Sequence, residues 1–554
     1  MPDQPSIDAV ETDALVIGAG FAGLDAVYVL RERGLTVRGL EAADGIGGTW
    51  YWNRYPGART DSKAFVYCYT FSKELREEWD WSELYPTQPE VLAYLEFVAR
   101  RLDLTKHFRF GSTVTGARWD DDTARWTVHS ADGSVYRCSY LIAGVGCLSA
   151  VNVPRFPELD SYRGTLVHTA RWPHEGLDVT GKRVAVIGSG ASGIQALPEL
   201  AKTAAAVTVL QRTPNYVAPA VSPEFTDEDR AAYRRDHDEI QAFLRSSPFS
   251  QYLKSAGPSA KAADPEERAE VLARAWTEGG LGMLMATYDD LLVDAESNEV
   301  VAEYIRQKIR DTVHDPATAE KLIPTTYPFG IKRPPGGVGY LETFNQPNVS
   351  VVDIAATPIE RFTEAGLIID ATELEFDVVV LATGFDAATG GILRLNIAGR
   401  GGLPLTEVWA EGPSNYLGLA VPEFPNLFTI IGPLSAFGNL PSCIEHNVEF
   451  IASAIDHARS IGGPVIEATV EAADEWTTSA RGIGEQTLLT LSTGQAASSW
   501  IVGSNIDGRK PSTLYYLGGA NTYFDLCDAE RELGFPGFTF IKAGDRVPAH
   551  AHSD

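Results

Sequence analysis

Two stretches of this 554-residue chain share one pattern: D-A-L-V-I-G-A-G-F-A-G at 13–23 and R-V-A-V-I-G-S-G-A-S-G at 183–193. Each begins with an apolar run typical of a buried strand, passes through a G-x-G-x-x-G loop and opens a helix-like segment. In such a loop the first glycine makes the turn, the second lets the backbone approach a pyrophosphate, and the third lets helix pack on strand. The helix N-terminus then faces the phosphates. The pattern predicts two dinucleotide-binding units, with loop glycines Gly18, Gly20, Gly23, Gly188, Gly190 and Gly193.

The two units differ at the position 23 residues after the first glycine of the loop. The first unit has Glu41 there, and the second has Gln211 followed by Arg212. An acid at this strand end accepts hydrogen bonds from a ribose 2′-hydroxyl and repels a 2′-phosphate, whereas a neutral residue followed by arginine suits a 2′-phosphate. We therefore expect FAD in the first unit and NADPH in the second, with electrons passing between them.

Composition narrows the class of protein. A chain of 554 residues is expected to form two or three domains. A net charge of −28 argues against nucleic acid or an anionic membrane surface as a partner. No apolar run approaches the roughly 20 residues of a membrane helix. The acidic N-terminus, 1–13, does not resemble a signal peptide.

The cysteines are few and scattered, and none forms a C-x-x-C pair. They are Cys68, Cys138, Cys147, Cys443 and Cys527. This usage predicts a cytoplasmic, reduced protein and removes the disulfide-reductase interpretation of a two-nucleotide flavoprotein.

The predicted fold class is α/β, with two Rossmann-like dinucleotide-binding domains and a helical insertion. Residues 45–61, rich in glycine, aromatics and arginine, are interpreted as a loop lining a site, and the proline-rich 150–173 as a linker. Thr226 and Asp229 form a plausible capping box that begins a charged, helix-rich region. The predicted domains are 1–145 with 385–554 for FAD, 150–221 with 324–384 for NADPH, and 222–323 as the insertion.

A third motif resembles a known family. The run Y-R-G-T-L-V-H-T-A-R-W-P at 162–173 matches the fingerprint F-x-G-x-x-x-H-x-x-x-W-P of type I Baeyer–Villiger monooxygenases and lies between the two glycine loops, as in that family. The segments at 47–61, 382–386 and 499–505 are also similar, so the likeness covers nearly the whole chain. Two departures are Tyr162 where phenylalanine is usual and Thr60 where many members have cysteine.

The resemblance implies an NADPH-dependent flavin monooxygenase with non-covalent FAD. In this family a C4a-peroxyflavin attacks a ketone carbonyl, and the product is an ester or lactone. The implied partners are a ketone and O2, with no obligatory protein partner, and sulfoxidation is an expected side activity. The chemistry needs a cation for the developing oxyanion and exclusion of water.

The resemblance also implies roles for individual residues. Arg333, in G-I-K-R-P-P, stands where the family has its catalytic arginine, and Asp61 matches the carboxylate partner of that arginine. Lys332, Arg212 and Thr213 are expected to bind the NADPH 2′-phosphate. His168 is interpreted as a hydrogen-bonded linker residue that positions the domains, in preference to a proton-transfer group.

The remaining candidates are cofactor contacts and fingerprint positions. Tyr51 and Trp52 are expected to pack around the flavin together with Trp50, and Trp500 to contact NADP and substrate from a mobile segment. The other expected cofactor contacts are Gly48, Thr49, Asp61, Ser192 and Gln195, and the fingerprint residues are Tyr162, Gly164, His168, Trp172 and Pro173. No metal site is expected, and His550 and His552 are interpreted as tail residues.

Two alternatives remain open. An N-hydroxylating or other heteroatom-oxygenating flavoprotein would share both glycine loops, although the 162–173 run favours ketones. A nucleotide-sensing protein without turnover would also keep both loops, but it would not need Arg333 and Asp61.

Overall fold

The structure is a computed structural model that describes residues 9–489 and 499–542. Its strands, in chain order, are β1 (Val10–Ile17), β2 (Val37–Leu40), β3 (Phe108–Arg109), β4 (Val114–Asp120), β5 (Arg125–Ser130), β6 (Val135–Ala143), β7 (Thr165–His168), β8 (Arg183–Ile187), β9 (Ala206–Gln211), β10 (Ala218–Pro219), β11 (Gly336–Gly337), β12 (Val349–Asp353), β13 (Ile359–Phe362), β14 (Gly366–Ile369), β15 (Thr372–Glu375), β16 (Val378–Leu381), β17 (Ile397–Ala398), β18 (Leu427–Thr429), β19 (Val465–Ala468) and β20 (Phe538–Ile541).

The α-helices, in chain order, are α1 (Phe21–Glu32), α2 (Thr49–Trp52), α3 (Lys73–Glu78), α4 (Gln88–Arg101), α5 (Ala191–Ala201), α6 (Asp227–Arg235), α7 (His237–Ser246), α8 (Pro265–Glu278), α9 (Gly282–Met285), α10 (Ala295–Thr312), α11 (Pro316–Leu322), α12 (Tyr340–Thr343), α13 (Gly390–Leu393), α14 (Leu405–Val408), α15 (Leu440–Ile461), α16 (Val470–Glu485) and α17 (Ala520–Glu532). Short 3-10 turns lie at Ala64–Val66, Thr105–His107, Leu159–Ser161, Thr169–Arg171 and Arg400–Gly402.

The first large sheet has the strand order β17-β4-β5-β6-β1-β2-β3, and β18 pairs with the end of β6. The central strand β1 is parallel to both β2 and β6, with Val16 opposite Gly39 and Ile142. The last four residues of β1 are buried, which explains their apolar character. Because β17 and β18 come from beyond residue 385, the chain returns to this sheet after a long excursion.

The second large sheet has the order β12-β9-β8-β16-β7, and all its strand pairs are parallel. The apolar run V-V-V-L of β16 is buried along its whole length between β8 and β7. A parallel sheet covered on both faces requires such a strand. The α/β fold class with two Rossmann-like sheets is confirmed.

Three details differ from the sequence expectations. Residues Thr165–His168, interpreted as part of a linker, form the edge strand β7. The 45–61 segment contains one helical turn, α2, which begins after Gly47 and Gly48 turn the chain with positive φ. Several apolar side chains near the C-terminus pack in the core around the second sheet although they fall in the range assigned to the first domain, namely Leu488, Leu489, Ile501, Leu514 and Tyr515.

The region between the two parts of the second sheet is helical, from α6 to α11. The capping box is confirmed: at the start of α6 the Thr226 hydroxyl oxygen accepts from the Asp229 N–H, and the Asp229 carboxylate accepts from the Thr226 N–H. Within residues 9–489 and 499–542, every helix is too short or too polar to span a bilayer.

Two acids, Asp25 and Glu445, are buried where helices α1 and α15 pack together. Asp25 on α1 is 1 % exposed, and within the described residues neither of its carboxyl oxygens has a hydrogen-bond partner. Burial, with Glu445 and Glu449 nearby, raises the pKa of Asp25 well above its usual value. Burial also raises the pKa of Glu445 to about 7, against the hydrogen bonds it accepts from Thr70. The pair therefore keeps a proton in the folded protein at pH values where free carboxyls have lost theirs.

This arrangement predicts a loss of stability as the pH rises. The unfolded chain releases the Asp25 proton near a pKa of about 3.9, whereas the folded chain retains it, so the free energy of unfolding falls from that pH up to the raised pKa. Asp25→Asn cannot ionise, and we expect it to be more stable than the parent at pH 8, by about 1.4 kcal/mol for each unit by which the pKa of Asp25 in the folded chain exceeds that in the unfolded chain. The gain should shrink toward pH 5.

Urea unfolding at both pH values measures this difference. Glu32→Gln, on the exposed side of the same helix, is the control and should leave the pH dependence unchanged. An Asp25→Asn gain that is equal at pH 5 and pH 8 would contradict the account.

Candidate active site between two nucleotide loops

The first glycine of each loop makes the same turn. Gly18 follows β1 and Gly188 follows β8, with φ of +106° and +116°. A Cβ would lie 2.5 Å from the carbonyl oxygen of Gly144 at the first turn and 2.4 Å from that of Ala382 at the second. Both turns therefore press against the end of a neighbouring strand, where only glycine fits.

The third glycine of each loop is tightly packed against the turn, whereas the second glycine of the second loop faces open space. A Cβ on Gly23 would lie 1.8 Å from the Gly18 carbonyl oxygen, and one on Gly193 would lie 2.3 Å from that of Gly188. These glycines let α1 and α5 begin directly over the turns. At Gly190, by contrast, no atom lies within 4 Å of the Cβ position. This open space faces the N-terminus of α5, where backbone N–H groups lack helical partners.

The 47–50 segment borders the first loop. Gly48 has a φ of +53°, and a Cβ on it would lie 2.9 Å from the Cα of Gly20. Thr49 then begins α2 and is exposed, and Trp50 is buried beside it. Within the described residues the indole N–H of Trp50 has no hydrogen-bond partner. The sequence-predicted cofactor contacts Gly48, Thr49 and Trp50 thus lie together at one loop.

Glu41 closes β2 beside the same loop. Its two carboxylate oxygens accept hydrogen bonds from the backbone N–H groups of Ala19 (2.7 Å) and Ala43 (2.8 Å). Burial raises the pKa of Glu41, and these backbone donors oppose the rise. Each oxygen keeps a second lone pair, so the carboxylate can accept a ribose hydroxyl as well. The glycine cradle and this acceptor fit the adenosine half of FAD.

The equivalent strand end of the second unit carries no acid. The Gln211 amide is buried and donates to the carbonyl of Lys321 (2.7 Å), so it points away from the loop mouth. Lys332 lies near Arg212, and burial together with that arginine lowers the pKa of Lys332 to about 8. Its ammonium lies 4.9 Å from the centre of the Tyr327 ring. Within the described residues Lys332 forms no ion pair, and two cations in one place fit a 2′-phosphate.

The other residues predicted to contact the nucleotide at the second loop are Ser192, Thr213 and Gln195, and they have different hydrogen-bond partners. Ser192 lies at the start of α5 beside the Tyr55 hydroxyl, and Thr213 uses its carbonyl to accept from Ser189 (2.7 Å). Gln195 is occupied by the protein: its amide oxygen accepts from the Tyr55 hydroxyl (2.7 Å) and its amide nitrogen donates to the Arg59 carbonyl (3.2 Å). Its side chain therefore joins α5 to the 55–59 segment, and its contact with the cofactor stays a prediction.

Arg333 and Asp61 meet between the two units. The guanidinium Nε donates to the Asp61 carboxylate at 3.0 Å. The Asp61 side chain is 7 % exposed and that of Arg333 is 38 % exposed. Within the described residues the terminal Nη groups of Arg333 make no hydrogen bond. The cation is thus held on one edge, and the other edge can donate to a ligand.

The environment of Asp61 explains why its charge survives burial. Burial raises the pKa of this carboxyl, while Arg333 and the N–H of Gly336 lower it. Gly336 starts β11, three residues after Arg333, so one short segment supplies both the cation and the backbone donor. A buried carboxylate needs partners of this kind to stay ionised.

His168 ends β7 and has the geometry of a positioning residue. Its Nδ1 accepts a hydrogen bond from the Ala170 N–H (3.0 Å), while within the described residues its buried Nε2 has no partner. Burial and the nearby Arg171 lower the pKa of His168 to about 4. The imidazole is therefore neutral at working pH, which favours the linker role over proton transfer.

The fingerprint residues pack around the edge strand β7, and Tyr162 and Gly164 contact each other directly. The Tyr162 hydroxyl donates to the Phe376 carbonyl at 2.9 Å. The Tyr162 side chain lies so close to Gly164 that a Cβ on Gly164 would be 2.2 Å from the Tyr162 hydroxyl oxygen. Trp172 is buried in the second core, and Pro173 follows it. The spacing thus fixes the edge strand β7 against β16.

Trp500 belongs to a group of three aromatic rings that the sequence did not single out as a group. Its ring centre lies 6.2 Å from that of Phe437 and 5.8 Å from that of Tyr515, and those two are 5.4 Å apart. The Ser499 hydroxyl donates to the Ile331 carbonyl (2.9 Å), which holds Trp500 near the Lys332–Arg333 segment. No spacing rule links these residues, so only the fold could reveal them. His550 and His552 lie outside the described residues.

Comparison with known proteins gives one consistent set of matches. Residues 12–252 match the model of a family described as FMO-like, flavin-binding monooxygenase-like. A Baeyer–Villiger monooxygenase of Pseudooceanicola batsensis is 40% identical over 97% of each chain. A phenazine N-monooxygenase of Lysobacter antibioticus is 41% identical over 95% of this chain and 97% of its own.

The fold comparison agrees. The crystal structure of cyclohexanone monooxygenase from Rhodococcus sp. Phi1 bound to NADP+ superposes with a TM-score of 0.94 at 41% identity. The match covers 97% of this chain and 100% of that one.

Gly190 and Gly193 form a matched pair for testing the second loop. Gly190→Ala meets open space, so the protein should fold and keep its flavin. The added methyl would block a pyrophosphate, and NADP+ affinity should fall about tenfold or more, because backbone donors to a charged group are worth about 1.5–3 kcal/mol each.

Gly193→Ala should behave in the opposite way, with a lowered melting temperature, because its Cβ would strike the Gly188 carbonyl. Calorimetric titration with NADP+ and thermal melts separate the two effects. Unchanged NADP+ affinity in Gly190→Ala would contradict the placement.

Proposed function

The chain belongs to the Baeyer–Villiger monooxygenase family, and we propose that it inserts one oxygen atom of O2 beside the carbonyl carbon of a ketone to give an ester or lactone. FAD and NADPH are its cofactors. The balanced reaction consumes one ketone, O2, NADPH and a proton, and yields one ester, NADP+ and water. The observation that carries the proposal is the Arg333–Asp61 pair between two dinucleotide loops.

FAD, when bound and reduced, supplies the activation of O2. Arg333 stabilises the negative charge that develops on the ketone oxygen, because its Nη donors are unused by the protein and an arginine keeps its proton at working pH. Asp61 is a positioning residue: it fixes the guanidinium through Nε and leaves the Nη edge toward the ligand. Trp500 with Phe437 and Tyr515 forms an apolar wall that keeps water out.

The nucleotides divide between the two units. We assign FAD to 1–145 with 385–554 and NADPH to 150–221 with 324–384, and the difference between Glu41 and the Arg212–Lys332 pair supports this division. Within 385–554, the segments around Leu488 and Ile501 pack against the NADPH unit.

The insertion 222–323 packs against both units: Tyr233 lies against the core of the first sheet, and Val271 and Ile305 lie in the core of the second. His168 then positions the linker. We further propose that the protein is cytoplasmic, since its five cysteines are free. We also propose that it works without an obligatory protein partner.

A second candidate is oxygenation at nitrogen or sulfur. The matched relative from Lysobacter is a phenazine N-monooxygenase that is 41% identical to this chain. A protein with this degree of sequence similarity can therefore catalyse oxidation at nitrogen. The ring cluster around Trp500 would accept a planar aromatic substrate.

Product analysis under 18O2 tests the two candidates directly. The enzyme is incubated with NADPH and either a panel of cyclic, linear and bulky ketones or a panel of thioethers and aromatic amines. We expect esters or lactones that carry one labelled oxygen, formed in step with NADPH consumption, and slower sulfoxide formation. Heteroatom oxides with no ester would support the second candidate, and hydrogen peroxide alone from every substrate would overturn both.

The pKa of Lys332 predicts how cofactor affinity changes with pH. Below its pKa of about 8 the ammonium is charged and can pair with a 2′-phosphate, and above it the charge is lost. NADPH affinity should therefore fall as the pH rises through this range, while NADH affinity stays level. Arg212→Ala or Lys332→Gln should weaken NADPH about 10- to 150-fold at pH 7, as expected for a charged contact of about 1.5–3 kcal/mol.

Lys332→Gln should also remove the fall above pH 8, whereas Arg212→Ala should keep the fall and move it to higher pH, because Arg212 lowers the pKa of Lys332. Lys202→Gln, on the surface beside Glu199, is the matched control. Titration of NADPH and NADH from pH 6.5 to 9.5 measures both effects. Equal losses for the two nucleotides would remove the phosphate assignment.

A further inference from the structure

Tyr327 lies between the two segments that carry the cations of the second nucleotide loop. One segment follows β9 and carries Arg212, and the other runs from Tyr327 itself to Lys332. Tyr327 is 4 % exposed, so its ring belongs to the core. The ring contacts the lysine of one segment, and the hydroxyl contacts the backbone of the other.

The face of the Tyr327 ring lies against the Lys332 ammonium. The ammonium nitrogen is 4.9 Å from the ring centre, a distance at which a cation is attracted to an aromatic face. Burial and the nearby Arg212 make the charged form of this lysine costly and lower its pKa to about 8. The ring offsets part of that cost.

An aromatic face suits this position better than a carboxylate would. A carboxylate beside Lys332 would hold the ammonium, but it would also occupy its N–H donors and repel a phosphate. The neutral ring attracts the cation and leaves those donors for a ligand. Burial, with Tyr216 nearby, raises the pKa of Tyr327 well above 10, so the phenol brings no negative charge to the site.

The hydroxyl of Tyr327 holds the segment that follows Arg212. It donates to the Pro214 carbonyl at 2.8 Å and lies 3.1 Å from the amide oxygen of Asn215. Pro214 comes two residues after Arg212 in the chain. One side chain therefore contacts both cation-bearing segments of the loop.

Tyr327 is itself fixed from the side of helix α10. Its ring meets that of Tyr216 edge to face, with centres 5.5 Å apart, and the Tyr216 hydroxyl accepts a hydrogen bond from Arg306 at 2.9 Å. Two residues after Tyr327, the N–H and the carbonyl of Phe329 both bond at 2.8 Å with the buried amide of Asn298. The 327–329 segment therefore cannot shift without breaking contacts with α10.

We propose that Tyr327 is a positioning residue for the nicotinamide nucleotide: its ring holds the Lys332 ammonium and its hydroxyl holds the 213–215 segment, so that both cations are in place before a 2′-phosphate binds. A lysine that is already held loses less conformational freedom on binding. This inference rests on the proposed binding of NADPH at the second loop and adds a residue that sets the preference for a phosphorylated ribose.

Calorimetric titration of the FAD-loaded enzyme with NADP+ and with NAD+ tests the ring. Tyr327→Phe removes the hydroxyl and keeps the ring, whereas Tyr327→Leu removes both. At pH 7 NADP+ affinity should be about 3- to 10-fold weaker in Tyr327→Leu than in Tyr327→Phe, the effect of ordering one more long side chain on binding. NAD+ affinity should be equal in the two variants.

The pH dependence separates the ring from the hydroxyl. In Tyr327→Leu the fall of NADP+ affinity between pH 7 and 9.5 should begin at a lower pH than in the parent, because losing the ring makes the Lys332 charge more costly. Tyr327→Phe should keep the pH dependence of the parent. Its NADP+ affinity should be about 2- to 5-fold weaker at every pH, as for one neutral hydrogen bond.

Three further variants serve as controls. Tyr304→Leu removes a similar contact outside both nucleotide loops, where the Lys308 ammonium lies 5.3 Å from the Tyr304 ring centre, and should change neither the NADP+ preference nor its pH dependence. Tyr327→Met fills much of the space without a ring and repeats the comparison with a second ringless side chain. In a Lys332→Gln background, Tyr327→Leu and Tyr327→Phe should bind NADP+ equally, because the ring then has no ammonium to hold.

The possible failures are distinct. If the parent binds NADP+ no better than NAD+, the binding of NADPH at this loop falls. If the parent prefers NADP+ but Tyr327→Leu and Tyr327→Met match Tyr327→Phe at every pH, the inference about Tyr327 is overturned and the phosphate site stands. Ringless variants that lose both nucleotides equally would also overturn it, because they would indicate a general packing role.

Discussion

The ion pair between Arg333 and Asp61 is the constraint on which the candidate site depends. The two residues lie 272 positions apart, one after the first glycine loop and the other after the helices α6 to α11. Burial of Asp61 is tolerable only because a guanidinium and the N–H of Gly336 compensate its charge. The pair therefore joins the two nucleotide units and at the same time leaves one edge of the cation for a ligand.

The two units share a scaffold and differ at the strand end. Both loops need glycine for steric reasons, because a Cβ at Gly18 or Gly188 would strike a carbonyl oxygen of the adjoining strand. The two units differ in the charge of the side chains at the strand end. In the proposed assignment, Glu41 presents an acceptor to one nucleotide, and Arg212 with Lys332 presents positive charge to the other. Two similar glycine turns would thus hold two different cofactors, and in the proposed assignment a few side chains determine which cofactor each unit binds.

Local rules explain why part of the site could be predicted from the sequence. The glycine turns, Glu41 and the Thr226 capping box depend on neighbours close in the chain, where spacing is informative. Arg333 and Asp61 were found through resemblance, since spacing alone says nothing about residues so far apart. The Gln195 bridge, the ring cluster around Tyr515 and the Asp25–Glu445 pair arise from long-range packing, which leaves no periodic signal in the sequence.

The most direct test of the account separates reduction from oxygenation in Arg333→Met. In one experiment, the rate of flavin reduction by NADPH is measured in the absence of oxygen. In the other, the enzyme is first reduced photochemically in the presence of NADP+, and the rate of lactone formation is measured after mixing with O2 and cyclohexanone. We predict that the variant keeps FAD and NADP+ and is reduced only modestly more slowly. Its lactone formation should fall by about 10²–10³-fold, the effect of one missing oxyanion donor. Lactone formation at the parent rate, or an equal loss in both half-reactions, would contradict the assignment of Arg333.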